Sequence, residues 1–540
     1  MEVTIGPHMN GNRLIKNSMK KASYFILVLL ASIFTSCIND FGSDTIAEIN
    51  EIEISGIEDS YSVIAQQETL TIKPVIKGTL SASDESRFTY RWFLCDGGMT
   101  NTHKHITIST ERDLNYFVES TPRNYTLYFS VLDNTTGLKW EKGTDLSIVS
   151  PYVRGHYIVG DKADGSVGMD FLSFIEGRDT TVMKNIFVNT KNIKGAKNAI
   201  FTGFYITEET INLWIMSESG SYQVENSASL PEIKEMDEMS DPSLFIFPTI
   251  PISKPQQVMD IVPHALGKTN INRCRGARII LTKDNCFGTT MMALPEAYGN
   301  PINRYSSSSS ELFRPSKYVL YQENQRFPNG MCLYDETNHC FSRFNSWSTY
   351  SAPTHCTKLS NTGTPFYFDQ TQYSPVRDLV YGENGYGNSG RSYALMSNES
   401  GEYFVYWFLV SRFNNIQAQA AYDIDLSIAT EFGQATHYAF YSMQPIILYS
   451  VGAKLYAYDY IRKECKLINT FDDEITYIAM DYSSDDDPNH FFVATYSSAG
   501  RIYGYNMEDN QNAINATAVE HETFDTDLKV VRMVYRNYAN

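Results

Sequence analysis

Cys37 is the residue of this 540-residue chain whose surroundings define its chemistry most sharply. Lys20 and Lys21 precede an apolar run from Ala22 to Phe34, and Thr35 and Ser36 lead into the thiol. The run is shorter than the roughly 20 apolar residues a bilayer span needs. Basic residues followed by a short apolar run form an export signal. A thiol closing that signal is placed for acylation, so that cleavage leaves Cys37 as a lipid-bearing amino terminus. Phe34 and Thr35 depart from the small aliphatic pattern usual before such a cysteine. Met19-Lys20-Lys21 would make an ordinary leader start, so Met1 to Ser18 reads as an upstream extension. The expectation is a leader over 1–36, a polar acylated tether over 37–48, and anchorage to a membrane through lipid.

Other residues with chemical potential are weaker signals. His103 and His105 lie two apart, which on a strand puts both imidazoles on one face, but no third ligand stands at a metal-binding spacing. Asp485-Asp486-Asp487-Pro488-Asn489 crowds oxygen donors into a turn yet lacks the spaced carboxylates of a calcium loop. Gly385 to Gly390 spells G-x-G-x-x-G, but the following segment alternates like a strand. A dinucleotide site needs a helix there, its N-terminus facing the pyrophosphate, so the segment reads as a glycine-rich hairpin loop. Neither H-E-x-x-H nor G-x-S-x-G occurs. No catalytic residue, metal or cofactor is expected.

Seven cysteines remain besides Cys37, none in a C-x-x-C pair. Cys332 and Cys340 flank the turn Asp335-Glu336-Thr337-Asn338, so they read either as a cross-hairpin disulfide, permitted outside the cytoplasm, or as plain buried thiols. Trp347, in the polar run Asn345 to Tyr350, is the first choice for an exposed aromatic platform on which a sugar could stack. Trp214 and Trp407 lie in apolar strands and read as core. Asp44-Thr45-Ile46 and Asp179-Thr180-Thr181 fit a short acceptor pattern for O-glycosylation, making Thr45 and Thr180 the modifiable hydroxyls.

The elements that would position these residues are strands. Tyr and Phe number 37 and 30, and no long stretch carries the Ala/Leu/Glu/Lys pattern of an amphipathic helix. Net charge is −18, and the leader contributes +3 of the opposite sign, so the mature chain is near −21. Such a surface repels phosphate backbones and excludes nucleic acid as a partner. Residues 49–150 carry short alternating runs around Tyr90-Arg91-Trp92-Phe93 and Tyr125 to Val131, the pattern of an immunoglobulin-like sandwich with Trp92 in its core. No cysteine pair brackets Trp92, so it is not a true immunoglobulin domain.

Residues 151–540 read as repeated strand and turn units. Lys454 to Asp459 recurs as Arg501 to Asn506, 47 residues later, and Gly330 to Asp335 is a third copy. Glu474-Ile475, Ile478, Met480 and Tyr482 recur as Asp527-Leu528, Val531, Met533 and Tyr535. The spacing fits the four-stranded blades of a β-propeller, with seven blades favoured over six. The segment ending at Tyr535 resembles an innermost strand with no outer strands after it, whereas Gly155 to Val188 offers outer strands with no inner one before them. The last strand is therefore expected to complete the first blade, which removes open sheet edges.

With this leader, an Ile49-Asn50-Glu51-Ile52 first strand, Tyr90-Arg91-Trp92, the Tyr125 to Gly137 strand and turn, and a large propeller-like region, the chain resembles the PKD-like lipoproteins of Bacteroidetes. That resemblance implies a surface-exposed outer-membrane lipoprotein accompanying a TonB-dependent, starch-utilisation-type importer and its lipoprotein partner. It implies non-catalytic binding of a nutrient, glycan or peptide, and carries over no catalytic residues. Two other readings stand beside it: a structural scaffold of an outer-membrane complex, and a propeller glycoside hydrolase or lyase using channel carboxylates.

Overall fold

The computed structural model describes residues 49–537 apart from 80–84, 97–104, 153, 176, 204–210, 225–245, 254–255, 265–277, 290–297, 323–329, 346–350, 362, 412–414, 484–486 and 509–512. The described chain is almost entirely strand. By contact it forms two compact units: residues up to Asp59 with Thr71–Asn115 and Thr126–Thr144, and Ser60–Leu70 with Tyr116–Tyr125 and Asp145–Asn540.

The N-terminal strands make a five-stranded sheet in the order Ser60–Ile64, Lys139–Val149, Arg123–Asp133, Phe88–Asp96, His105–Ser109, with two smaller pairs, Ile52–Ser55 with Val75–Gly78 and Thr69–Ile72 with Leu114–Phe117. Trp92 is fully buried, its ring 4.5 Å from Phe129, and its indole N–H donates to the Arg112 carbonyl at 3.1 Å. That bond lets a polar tip sit in the core without an orphaned donor. Along Arg123–Asp133 the buried apolar residues fall at Tyr125, Leu127, Phe129 and Val131, the period of two that a pleated strand imposes.

Seven further sheets follow, here called blades 1 to 7. Blade 1 runs Lys529–Asn537, Arg154–Asp161, Val167–Ser173, Thr181–Met183, so the C-terminal strand is innermost in the first blade, as expected. Blade 2 is Ala196–Gly203, Ile211–Ser217, Gly220–Val224, and blade 3 is Val258–Val262, Ile279–Thr282, Cys286–Gly288. Blades 4 to 7 have four strands each and begin at Pro315–Tyr321, Arg377–Asn384, His437–Tyr441 and Glu474–Met480. All pairings within the blades are antiparallel, and no single sheet closes on itself.

The ring closes through side chains. Apolar clusters fill each junction between consecutive blades, including that between blade 7 and blade 1, where Tyr477, Phe492 and Ile502 meet Ile158, Leu172, Val530 and Met533. Successive side chains of a strand point to opposite faces, so one strand serves two junctions. Met331 and Leu333 pack towards blade 3, and Cys332 and Tyr334 towards blade 5. Sheets buried on both faces need apolar or aromatic residues at nearly every position, and this is where the chain's Tyr and Phe are used.

The repeated motif marks a strand end rather than a place in the blade. Lys454–Asp459 and Gly500–Met507 are third strands, whereas Met331–Asp335, read from sequence as the same element, is a second strand. What recurs is the aspartate turn. Asp335 Oδ1 accepts the Thr337 and Asn338 N–H groups at 2.8 Å each, and Asp459 Oδ1 accepts those of Ile461 and Arg462 at 2.9 and 2.8 Å.

Candidate functional site at the propeller centre

Where the innermost strands converge they enclose a cavity of about 390 Å³. Six of the seven blades contribute to its wall, which lies wholly within 156–535. Tyr318, Tyr381, Tyr477, Tyr482 and Tyr535 give it an aromatic face, and three carboxylates and three cations give it polarity: Asp260, Glu383 and Asp481 against Lys197, Lys317 and Arg532. A pocket of mixed aromatic and fixed polar lining is the usual form of a small-molecule site.

Two of the carboxylates are committed to imidazoles. Asp481, just past the innermost strand of blade 7, lies 3.1 Å from His156 Nε2 and 2.9 Å from His490 Nδ1, and accepts the Ser483 N–H and hydroxyl at 2.9 Å each. Burial would raise this carboxyl, but the charge and hydrogen bonds of the two histidines outweigh it and hold Asp481 well below the usual carboxylate range. His490 in turn meets Glu522 Oε2 at 2.8 Å. Burial opposes its charged form, yet hydrogen bonds to Asp481 and Glu522 prevail and lift His490 to about 9. Asp260 Oδ1 lies 2.8 Å from His264 Nε2 and accepts from the Asn198 amide at 3.2 Å and the Ile261 N–H at 2.9 Å.

Glu383 is different. Its Oε2 accepts the Phe440 N–H at 2.7 Å and the Tyr381 hydroxyl at 3.0 Å, while its Oε1 has no hydrogen-bond partner among the described residues. Burial pushes the carboxyl up to about 7, more than the two hydrogen bonds and the Arg532 charge pull it down. Burial thus favours the protonated form of Glu383. Among the described residues no group of three or more His, Cys, Asp or Glu has the arrangement of a metal site.

The sequence profile of the PKD-like family matches residues 37–197. The chain is similar to that family over those residues, which take in the sandwich and the first strands of the propeller. No sequence among curated proteins matches the chain. Among solved structures it is similar to a quinonprotein alcohol dehydrogenase-like protein from Bacteroides thetaiotaomicron, at 13% identity and TM-score 0.34 over 89% of this chain and 97% of that one. It is also similar to a putative 6-phosphogluconolactonase from Bacteroides uniformis, at 8% identity and TM-score 0.28 over 83% of this chain and 99% of that one. A third is the WD40 domain of SCAP from fission yeast, at 9% identity and TM-score 0.29 over 60% of this chain and 74% of that one.

None of the described side chains read from sequence as functional lines the cavity. Cys37, Thr45, His103, Trp347, Asp485 and Asp486 lie outside the described residues. Thr180 is exposed between the two outer strands of blade 1. His105 stacks on Phe93 at 4.9 Å in the sandwich, and Asp487 caps a turn by accepting the Asn489 N–H at 3.2 Å. Gly385 to Gly390 joins two antiparallel strands of blade 5, with Asn388 and Ser389 at φ of 51° and 64°. Trp214 is buried, and the Trp407 indole donates to Tyr460 at 2.9 Å beneath the Arg391 guanidinium.

The disulfide reading of Cys332 and Cys340 is corrected: both are free, buried thiols. The hairpin register sets Cys340 opposite Asp335 and Cys332 opposite Arg343, so the two cysteines sit on opposite faces of the sheet. Cys332 enters the junction with blade 5, while Cys340 lies 3.3 Å from the Tyr305 hydroxyl on the other side. Sulfurs that point apart cannot be bridged without moving backbone.

The polar residues of the cavity have a faint trace in the sequence. In the repeat that aligns Glu474 to Tyr482 with Asp527 to Tyr535, Arg532 stands where the other copy has Ala479. An arginine where the matching repeat has alanine is the departure that marks a lining residue.

Proposed function

We propose that this chain is an outer-membrane lipoprotein, acylated at Cys37, whose propeller captures a small polar nutrient, a glycan or a short peptide, without chemical turnover. It would serve as an accessory to a TonB-dependent, starch-utilisation-type importer. The observation that carries the binding reading is the 390 Å³ cavity with tyrosine rings beside oriented polar groups. Sugars and peptides are held by this combination of apolar faces and fixed donors and acceptors.

Support for capture over hydrolysis comes from how the carboxylates are used. Glycoside hydrolysis needs two carboxyl groups free to face one bond. Asp481 commits both oxygens to His156, His490 and Ser483, and Asp260 commits Oδ1 to His264, Asn198 and the Ile261 N–H, which leaves Glu383 as the cavity carboxyl not tied to an imidazole.

The test is isothermal titration of the full chain in mild detergent against neutral glycans, acidic glycans and short peptides, with product analysis of each mixture. Binding without turnover is expected. Turnover abolished by Glu383→Gln would replace capture with catalysis. Labelling of cells with a fatty-acid analogue tests the anchor, with incorporation expected in the native chain and lost in Cys37→Ser.

A further inference from the structure

The charges of the cavity do not cancel. Two of its three carboxylates sit against imidazoles, and His490 behind Asp481 is held in its charged form. Of its cations, Lys197 is paired with Glu218 at 2.6 Å, but Arg532 makes no hydrogen bond or ion pair with any described residue. Its Nε is buried without a partner, and the residue lines the cavity. Lys317 likewise has no carboxylate partner, and its ammonium lies over the Tyr318 ring, 4.9 Å from the centroid. In a chain of net charge −18 these two cations have been left without the anions that are plentiful elsewhere. A guanidinium taken partly out of water and given no acceptor is costly, and a ligand oxygen would remove that cost.

Glu383 faces the same space, close enough for the Arg532 charge to act on it, yet the two form no ion pair. Its Oε1, without a hydrogen bond to any described residue, leaves a second hydrogen-bonding point in the same lining.

We propose that Arg532, assisted by Lys317, forms a subsite for a single carboxylate group of the ligand, with Glu383 Oε1 holding a neighbouring hydroxyl or amide. This deepens the capture reading and rests on it. One planar guanidinium matches one carboxylate through paired N–H bonds. A phosphate dianion would meet three carboxylate side chains in the same wall with only these two free cations. The ligand thus presents one carboxylate to the subsite: that of a uronic acid unit of a glycan, or the carboxyl terminus of a peptide.

The test is titration of the full chain with trigalacturonate and its methyl ester, and with triglycine and its amide. An acid is expected to bind at least tenfold more tightly than its uncharged partner, a ratio equivalent to about 1.4 kcal/mol. Arg532→Gln should bring that ratio to one, and Arg532→Lys should keep part of it. Lys317→Gln, at an exposed side chain that folding does not depend on, should lower the ratio by roughly threefold. Preference for trigalacturonate names an acidic glycan, and preference for triglycine names a peptide carboxylate. Equal binding of acid and ester or amide in the native chain, or a ratio unchanged in both Arg532→Gln and Lys317→Gln, overturns the subsite and leaves capture standing. No binding of any probe, neutral sugars included, overturns both.

Discussion

Asp481→Asn separates the charge between His156 and His490 from the shape of the site. Asparagine keeps the volume and one acceptor but removes the anion. His490 is lifted from 6.5 to about 9 in the folded chain, and each pK unit corresponds to about 1.4 kcal/mol. The charged imidazolium therefore contributes about 3 kcal/mol to folding, shared between Asp481 and Glu522. The sign follows from linkage. A group whose folded pKa is raised gives its full stabilisation below the unfolded value, near 6.5, and loses it as pH rises through 9. Asp481 itself is held low, so its contribution is present above the ordinary carboxylate range and constant over these conditions. Urea unfolding of native chain and variant at pH 6 and pH 9.5 reads the difference. Asp481→Asn is expected to cost about 2 kcal/mol more at pH 6 than at pH 9.5. An equal cost at both pH values would mean that His490 is neutral in the fold and that only hydrogen bonds were lost. His490→Gln should abolish the pH dependence, which separates this imidazole from other groups titrating in the same window.

Three further outcomes test the fold. At Gly160 an added Cβ would lie 2.2 Å from the Lys529 carbonyl oxygen, so Gly160→Ala should loosen the closing strand, costing about 2 kcal/mol and speeding amide exchange across 529–537. Trp92→Ala removes the largest buried ring of the sandwich and should cost about 3 to 5 kcal/mol, seen as an earlier urea transition of that unit by circular dichroism. Cys332 and Cys340 should each take one alkylating group on denaturation without reductant, measured by peptide mass; resistance to alkylation would contradict the strand register.

The fold was legible because its determinants are local and repeated. Period-two burial, aspartate turns and aromatic strands can be read within ten residues, and the ring closure follows from two incomplete ends that complement each other, Gly155 to Val188 and the strand ending at Tyr535. Register was not legible. Gly330 to Asp335 looks like Lys454 to Asp459 because both end in the same turn, yet their ordinal positions in the blade differ by one strand. The same uncertainty made Cys332 and Cys340 read as facing partners, since a hairpin's sequence does not say how many residues its turn consumes.

The site was hidden for a different reason. His156 and Asp481 are 325 positions apart and meet because blade 1 follows blade 7 around the ring. Six of the seven blades supply polar side chains to a shared centre, so no window of sequence holds more than a fragment of the site. A compact motif such as the glycine run at Gly385 draws attention because its residues are consecutive, and consecutive residues on a strand point to opposite faces. In a propeller the useful signal is the reverse: a polar residue at an inner-strand position where the matching repeat is apolar. Arg532 against Ala479 meets that condition, and both line the cavity. A charge that repeats in every blade serves the fold, whereas one that breaks the repeat at the centre of the ring faces whatever the ring encloses.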